Sequence, residues 1–255
     1  MAAPNSHIQS IQRATAILRC FSEAAPELGV MDISRRLELH KSTVSRILST
    51  LEHEGLVNQN PQTTKYRLGL GLISLAGVAL GRLDVRAAAQ PYLNHLVEVT
   101  QETINVTVLD GLECVNVERV ASPKPIRYVG WIGRRTPLHC TAAGKVILAY
   151  MPPEQREALI QLPLPRYTKH TITDKAILEK ALAQICRDGY ATAQEEFEEE
   201  FSAIAAPILN HRCEVVGAIA VSGPTYRLSS EQFESFVESL LETTGKVSAE
   251  LGFIG

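Results

Sequence analysis

The chain has 255 residues, 45% of them hydrophobic, so it is long enough for two domains with substantial apolar cores. No charged segment followed by an apolar run opens the sequence, which argues against export and predicts a cytoplasmic protein. The five cysteines lie far apart without zinc-ligand spacing, so free thiols and no metal or other cofactor are expected. They are Cys20, Cys114, Cys140, Cys186 and Cys213.

Charge is unevenly divided along the chain, although its net value of −3 is small. Through Leu80 the sequence carries 8 Lys and Arg against 6 Asp and Glu, and the remainder carries 17 against 22. This asymmetry has the sign expected of a DNA-binding head on a body that does not bind DNA.

The N-terminal part begins with two predicted helices, at about residues 10–23 and 31–37. Their apolar faces consist of Ile11, Ala14, Leu18, Phe21, Ile33 and Leu37. Leu39, in the turn that follows, is expected to fill the gap between the second helix and the third. Glu38 stands where helix-turn-helix units usually carry Gly, and a left-handed Glu would cost about 1 kcal/mol.

The third predicted helix has two contrasting faces. Its apolar stripe is formed by Val44, Ile47, Leu48 and Leu51. The opposite face carries hydroxyl groups, one arginine and no carboxylate, namely Ser42, Ser45, Arg46, Ser49, Thr50 and His53. Such a face suits the major groove of DNA, where hydroxyls and Arg reach phosphates and base edges. A solvated helix in an ordinary bundle is the alternative.

A β-hairpin is predicted at residues 56–59 and 65–68, around the turn-rich sequence NPQTT. Tyr66 and Leu68 would face the core, and Lys65 and Arg67 the opposite side. Three helices and this hairpin make a winged helix-turn-helix that binds double-stranded DNA. The predicted DNA contacts are Lys41, Ser42, Thr43, Ser45, Arg46, Ser49, Lys65 and Arg67.

Residues 68–83, LGLGLISLAGVALGRL, leave almost no polar face if they form a helix. The run is too short to span a membrane, which needs about 20 residues. Because an apolar helix must be buried, the same helix of a second subunit is its expected cover. A homodimer, or a dimer of dimers, is therefore predicted. The alternative is a helix buried between the domains of one chain.

The body is predicted to be an α+β domain with a largely antiparallel sheet. Helices are expected at residues 84–100, 142–150 and 174–187. Strands are expected at 104–109, 113–120, 126–131, 190–195, 203–209 and 215–222. A terminal helix should begin after Ser229, with Gln232 completing a capping box.

Three motifs in the body could suggest catalysis or cation binding, and none supports it. His139 and Cys140 are adjacent on an extended segment, so their side chains should point apart. The sequence AAGK at 142–145 lacks the first glycine of a phosphate loop, because His139 stands there. The acidic run at 195–200 is interpreted as a solvated strand end.

A ligand site is predicted at the start of the helix at residues 142–150. Thr141 is a plausible N-cap, which leaves the amides of Ala142 and Ala143 as free donors at a positive helix end. Their small side chains would let a carboxylate approach the backbone. Tight packing of an ordinary capped helix is the alternative.

The head, the linker and the body together resemble the IclR family of bacterial transcription regulators over nearly the whole chain. The segments ELHKSTVSRILSTLEHEGLV, GRRTPLHCTAAGKVIL, GYATAQEEFEEEFSAIAAPIL and EVVGAIAVSGP carry the resemblance. It implies a winged helix-turn-helix joined by a linker helix to a GAF-like α/β effector-binding domain. It also implies regulation of catabolic genes in response to a small organic acid or aromatic compound.

The resemblance implies effector contacts as well. The helix-start amides correspond to Ala142 and Ala143, and the serine of the SGP motif corresponds to Ser222. Three polar contacts of some members are replaced here by Ala203, Ala220 and Ala193. An aliphatic or aromatic acid, less polar than glyoxylate or pyruvate, is therefore expected, with Phe201 or Trp131 at the pocket wall.

The expected organisation is a DNA-binding domain at residues 1–69, a dimerisation helix at 70–82 and an effector-binding domain at 83–255. A non-enzymatic regulator that binds operator DNA is the favoured function. An enzyme with a nucleic-acid-binding appendage is the alternative, and it would need a catalytic constellation that the sequence does not contain.

Overall fold

The computed structural model describes residues 8–22, 24–80, 84–128 and 130–254. The chain divides into two compact units, Met1–Arg82 and Leu83–Gly255. Glu23, the expected end of the first helix, and the expected boundary at residues 82 and 83 lie outside the described residues.

The first unit is a winged helix-turn-helix followed by one more helix. Its elements are α1 (Gln9–Leu18), α2 (Val30–Leu37), α3 (Lys41–His53), β1 (Val57–Gln59), β2 (Tyr66–Leu68) and α4 (Gly71–Leu80). The two strands pair antiparallel, with Val57 opposite Leu68. The core joins all three of the first helices to the wing, through residues that include Ile17, Ile33, Val44, Leu48, Val57 and Tyr66.

The turn between α2 and α3 depends on an unusual backbone conformation at Glu38. This residue is left-handed, with φ 52° and ψ 36°, as the motif requires at that position. The reversal lets the Ser34 hydroxyl donate to the Leu39 carbonyl at 2.6 Å, while the Leu39 amide donates to the Ser34 carbonyl at 3.2 Å. Leu39 packs partly buried against the core, as expected.

One expectation for the wing is wrong. Tyr66 is buried as predicted, but Leu68 is 46% exposed. The head core ends at Tyr66 and Val57, so this small unit does not cover the far end of the hairpin.

The second unit contains a six-stranded antiparallel sheet with the order β5-β4-β3-β8-β7-β6. Its strands are β3 (Thr103–Asp110), β4 (Glu113–Val120), β5 (Arg135–Pro137), β6 (Ala191–Gln194), β7 (Phe201–Leu209) and β8 (Val215–Pro224). Its helices are α5 (Asp84–Thr100), α6 (Ala142–Tyr150), α7 (Pro153–Ile160), α8 (Lys175–Asp188) and α9 (Ser230–Glu250). The predicted α+β class with an antiparallel sheet is confirmed.

Helices cover both faces of this sheet. Ala218 and Ala220 of β8 belong to the apolar cluster that includes α6 and α8. Gly217, one residue earlier, faces the opposite side, where an added Cβ would lie 3.3 Å from the Val85 side chain on α5. The cluster on the α6 face encloses one side of the cavity described below.

Three details of the body differ from the expectations. Residues 126–128, 130 and 131 form no strand, because Arg227 rather than a strand ladder satisfies the Ile126 carbonyl, at 2.7 Å. Helix α7 and strand β5 were not predicted. Helix α9 begins after Ser229 as expected, but the Ser229 side chain makes no capping hydrogen bond.

Candidate nucleic-acid interface and ligand cavity

Helix α3 presents the polar face that the sequence predicts. Val44, Leu48 and Leu51 are buried in the core of the head. Six of the eight predicted DNA contacts lie on this helix, and all but the half-buried Thr43 are exposed: Lys41, Ser42, Thr43, Ser45, Arg46 and Ser49. The His40 ring caps the helix by accepting from the Ser42 amide at 3.3 Å, and its Nδ1 lies 2.7 Å from the Ser42 hydroxyl.

The wing places two further cations at the surface. Lys65 and Arg67 are exposed on either side of the buried Tyr66. The wing is tied to α3 by Glu52, whose carboxylate accepts from the Gln59 amide at 2.9 Å. Within the described part of the head, no carboxylate forms a salt bridge with any of the four predicted cations: Lys41, Arg46, Lys65 and Arg67. Their charges are therefore available to phosphates.

A cavity of about 580 Å³, counted with its open mouth, lies in the body between the sheet and the start of α6. Its wall is formed by residues of all six strands, β3 to β8, together with Tyr128 and residues 140–143 and 196–198. Six of the seven predicted effector contacts line it: Ala142, Ala143, Ser222, Ala203, Ala220 and Phe201. Ala193 lines it as well.

The start of α6 forms one end of the cavity. Thr141 caps the helix by accepting from the Gly144 amide at 3.1 Å, and its hydroxyl donates to the Pro137 carbonyl at 2.8 Å. The amides of Ala142 and Ala143 have no acceptor among the described residues. Gly144 is required here, because an added Cβ would lie 2.4 Å from the Leu138 carbonyl. Two free donors at a positive helix end can bind a carboxylate.

The floor of the cavity is set by strand register. Ala193, Ala203 and Ser222 are direct partners in one row across β6, β7 and β8. In the next row, Ala220 is the partner of Asn105 on β3. Two residues further along β3, the Thr107 hydroxyl donates to Asn116 Oδ1 at 3.0 Å. The predicted alanines therefore leave space in the floor, and polar groups from β3 and β4 border that space.

The interpretation of the acidic run at 195–200 as a solvated strand end is wrong. This run forms a turn-rich loop between β6 and β7, and Glu196 is buried in an ion pair with Lys145 of α6. Burial raises the pKa of Glu196, while the nearby Lys145 opposes this rise. The Thr171 hydroxyl anchors the loop by donating to the Glu196 carbonyl at 2.7 Å. Lys145, the last residue of the AAGK sequence that partly resembles a phosphate loop, is thus paired with a buried carboxylate of the same unit.

Aromatic side chains form the rim of the cavity. Tyr128 and Phe201 both line it, with ring centroids 5.5 Å apart in an edge-to-face arrangement. Trp131, the seventh predicted effector contact, does not line the cavity. Its ring lies 4.9 Å from the Arg134 guanidinium, and it is 42% exposed. Arg134 also contacts Tyr128 and forms a salt bridge with Glu198.

His139 and Cys140 do not pair as a base and a nucleophile. His139 Nε2 lies 3.0 Å from the Pro165 carbonyl, and burial lowers the pKa of its imidazole. Burial raises the pKa of the Cys140 thiol to about 12, so the thiolate is not available at neutral pH. Among the described residues there is no group of His, Cys, Asp and Glu that could hold a metal ion, and no helix long and apolar enough to cross a membrane.

Sequence reasoning missed several polar residues of the cavity: Asn105, Thr107, Asn116, Tyr128 and Glu196. Two of them could have been noticed. Asn105 and Thr107 alternate with Val106 and Val108 on a strand that is otherwise apolar, which indicates that polar side chains point to one face.

Comparisons with known proteins match both units of the chain. Residues 10–61 match the IclR helix-turn-helix domain, and residues 77–249 match the C-terminal domain of bacterial transcriptional regulator IclR. Over 247 residues the chain is 36% identical to the HTH-type transcriptional regulator XynR of Escherichia coli, covering 96% of this chain and 98% of XynR. It is 32% identical over 245 residues to the transcriptional repressor AllR of Klebsiella pneumoniae, covering 96% of this chain and 90% of AllR.

Solved structures agree with these matches. The IclR of Thermotoga maritima aligns with a TM-score of 0.81 at 27% identity, covering 97% of this chain and 100% of that structure. An IclR homolog from Microbacterium hydrocarbonoxydans, complexed with 4-hydroxybenzoate, aligns with a TM-score of 0.83 at 28% identity. That alignment covers 96% of this chain and 99% of the homolog.

This chain has a winged-helix head and a body with a ligand cavity, and its relatives are named transcriptional regulators. Together these findings define a DNA-binding transcriptional regulator with an effector-binding domain. The chain belongs to the IclR family of bacterial transcriptional regulators, as its sequence motifs indicated. Because the relatives are named transcriptional regulators, the chain is classed with regulators and not with enzymes.

Proposed function

We propose that this regulator binds operator DNA as a homodimer or a dimer of dimers and controls a catabolic operon in response to a small organic acid. The observation that carries the proposal is the pair of free amides at Ala142 and Ala143, which open onto a cavity in the body. An aliphatic or aromatic acid of modest size suits the apolar part of this wall. The 4-hydroxybenzoate bound by the Microbacterium homolog supports this chemistry.

In the proposed arrangement, residues 1–69 bind DNA, 70–82 join subunits and 83–255 bind the effector. The unpaired cations of α3 and the wing support the first assignment. The exposed apolar surface formed by α4 and by Leu70 just before it supports the second, since Leu70, Ile73, Leu75 and Val78 are all more than 60% exposed in the single chain. The two DNA-binding domains of one dimer can then bind the two half-sites of a palindromic operator.

The proposed mechanism couples two sites through two states. The acid binds between the start of α6 and the sheet and draws the loop at 195–200 toward it. The dimer helices transmit this change to the spacing of the heads. Operator affinity would then differ between the bound and free forms by about 1–3 kcal/mol.

A gel shift tests the proposal. Purified protein is mixed with DNA from upstream of its own gene and of the neighbouring operon, across a panel of small carboxylic and aromatic acids. A specific shift that one acid alters is expected. A specific shift that no acid alters would contradict the carboxylate site, and the absence of any specific shift at low salt would contradict operator binding.

A further inference from the structure

Two residues that line the cavity each have a buried oxygen atom with no hydrogen-bond donor among the described residues. These atoms are Asn105 Oδ1 and Glu196 Oε2, and their residues are only 3% and 9% exposed. A carboxylate oxygen and an amide oxygen accept hydrogen bonds. Because a buried acceptor without a donor is costly, a ligand that supplies donors to these atoms gains binding free energy.

The register of the sheet explains why the Asn105 amide is uncovered. Its direct partner on β8 is Ala220, whose own partner on β7 is Ala205. Opposite side chains in such pairs lie about 4.5–5.5 Å apart at Cβ, and a methyl group at this distance offers no hydrogen bond. Thr107 and Asn116, which line the same cavity, bond to each other instead. On β4 the direct partner of Asn105 is Arg119, and it does not donate to Asn105 Oδ1 either. Asn105 Oδ1 therefore has no donor among the described residues.

The charge of Glu196 indicates which kind of donor fits. Its other oxygen, Oε1, lies 2.5 Å from Lys145 Nζ, so the buried pair is already electrically balanced. An additional ammonium group would place an uncompensated charge in this buried site. An uncharged donor, such as a hydroxyl group, satisfies Oε2 without that penalty.

We infer that the acid bound in this cavity is a hydroxy acid, whose hydroxyl groups donate to Asn105 Oδ1 and Glu196 Oε2. Its carboxylate accepts from the amides of Ala142 and Ala143. The inference rests on the proposed function and makes it narrower: acids without a hydroxyl group, and amino acids, bind poorly. Asn105 and Glu196 then determine specificity, and the helix start determines only the requirement for an acid.

Calorimetric titration of the full chain with matched acids tests this inference. One series is benzoate and its monohydroxy derivatives, and the other is butanoate, its monohydroxy derivatives and 4-aminobutanoate. In at least one series a hydroxylated acid should bind about tenfold or more tightly than the parent acid. Asn105→Leu should reduce this ratio to near one. Ala220→Ser should also reduce it, because the new hydroxyl supplies Asn105 with an internal donor.

Ser248→Ala is the control, since Ser248 is buried outside the cavity, where its hydroxyl accepts from the Leu209 amide at 3.0 Å. It should keep the preference for the hydroxylated acid. The melting temperatures of the ligand-free proteins give a second measurement that needs no ligand. Asn105→Leu should melt at or above the temperature of the unchanged protein, because it removes an unpaired buried acceptor. Ser248→Ala should melt lower, because it leaves the Leu209 amide without an acceptor.

The outcomes separate this inference from the proposed function. Equal binding of parent and hydroxylated acids, or tightest binding of the amino acid, would overturn the inference and leave the acid site standing. A lower melting temperature for Asn105→Leu would also overturn it, because Asn105 would then have a structural partner such as a bound water. If no acid in either series binds, both the inference and the proposed acid site fail.

Discussion

Lys145 Nζ lies 2.5 Å from Glu196 Oε1, and this buried ion pair joins helix α6 to the loop between β6 and β7. Both elements border the cavity: α6 offers free amides at its start, and the loop contributes Glu196, Phe197 and Glu198 to the wall. The pair therefore fixes the position of the loop relative to the carboxylate site. A ligand that contacts both elements can move one with the other.

Removing one partner of this pair should be far more damaging than removing both. Lys145→Met leaves a buried carboxylate uncompensated, which should cost about 3–5 kcal/mol of unfolding free energy. The double variant Lys145→Met with Glu196→Leu should recover most of that loss. Urea unfolding of the two single variants and the double variant measures this, and additive losses would show that the two side chains do not interact.

Ala142→Pro should abolish the response to acid without unfolding the domain. Ala142 is the first residue of α6, where proline is well tolerated, and the extended Thr141 before it, with φ −120° and ψ 148°, suits a following proline. The change removes one of the two free amide donors. Calorimetry should show at least about a tenfold loss of acid affinity, while the gel shift without acid is unchanged.

Lys175→Pro is the control for that substitution. It changes the first residue of α8, after the extended Asp174, at a helix start away from the cavity. Acid affinity should be retained. If both proline variants bind acid like the unchanged protein, the carboxylate does not bind at the start of α6.

Ser222→Ala should weaken the effector response and leave basal operator binding intact. Ser222 lines the cavity in the same row as Ala203, and only its hydroxyl is removed. The acid concentration that gives half of the change in operator binding should rise several-fold. A dose–response curve that overlays that of the unchanged protein would exclude Ser222 as a ligand contact.

Arg46→Ala should reduce operator affinity while dimerisation and acid binding persist. Arg46 is exposed on α3 and forms no salt bridge within the described residues. If it contacts one phosphate, the slope of log affinity against log salt should fall by about 0.9. Lys180→Ala removes an exposed cation from α8 and should change neither quantity. Equal gel-shift affinities for the Arg46 and Lys180 variants would refute this role of Arg46.

Leu75→Glu should dissociate the proposed dimer. Leu75 is 62% exposed on α4, and a carboxylate there would face the apolar helix of the second subunit. Leu112→Glu makes the same change at a leucine that is 61% exposed in the turn between β3 and β4. Sedimentation should show a monomer for the first variant and an unchanged oligomer for the second. An oligomer that survives Leu75→Glu would place the subunit interface elsewhere.

The sequence predicts the helices and paired strands well where local signals are strong. The expected bounds of α5, α6 and β4 agree with the structure, since helical spacing and alternation of side chains are local properties. The strand predicted at 126–131 was wrong, because a distant residue, Arg227, satisfies the Ile126 carbonyl in place of a neighbouring strand. Propensity within a segment does not reveal such a partner.

The cavity residues were predictable only in part, because local sequence signals do not reveal contacts between distant elements. The helix-start amides follow from the local sequence around Thr141, and the SGP serine follows from a motif. The alternation on β3 marks Asn105 as a polar residue on an apolar strand, but it does not assign Asn105 to this site, because its place opposite Ala220 depends on the register of strands more than 100 residues apart in sequence. Glu196 looked like a solvated acid, since its buried partner Lys145 belongs to another element.

Thermodynamic linkage between the two proposed sites is the most direct measure of the central claim. Once the gel shift has identified an operator and an acid, calorimetry compares the affinity for the acid with and without saturating operator DNA. The two affinities should differ by the same factor by which the acid changes operator affinity, about 5- to 150-fold. An acid affinity that operator DNA leaves unchanged would contradict the account, because the cavity and the DNA-binding surface would then be uncoupled.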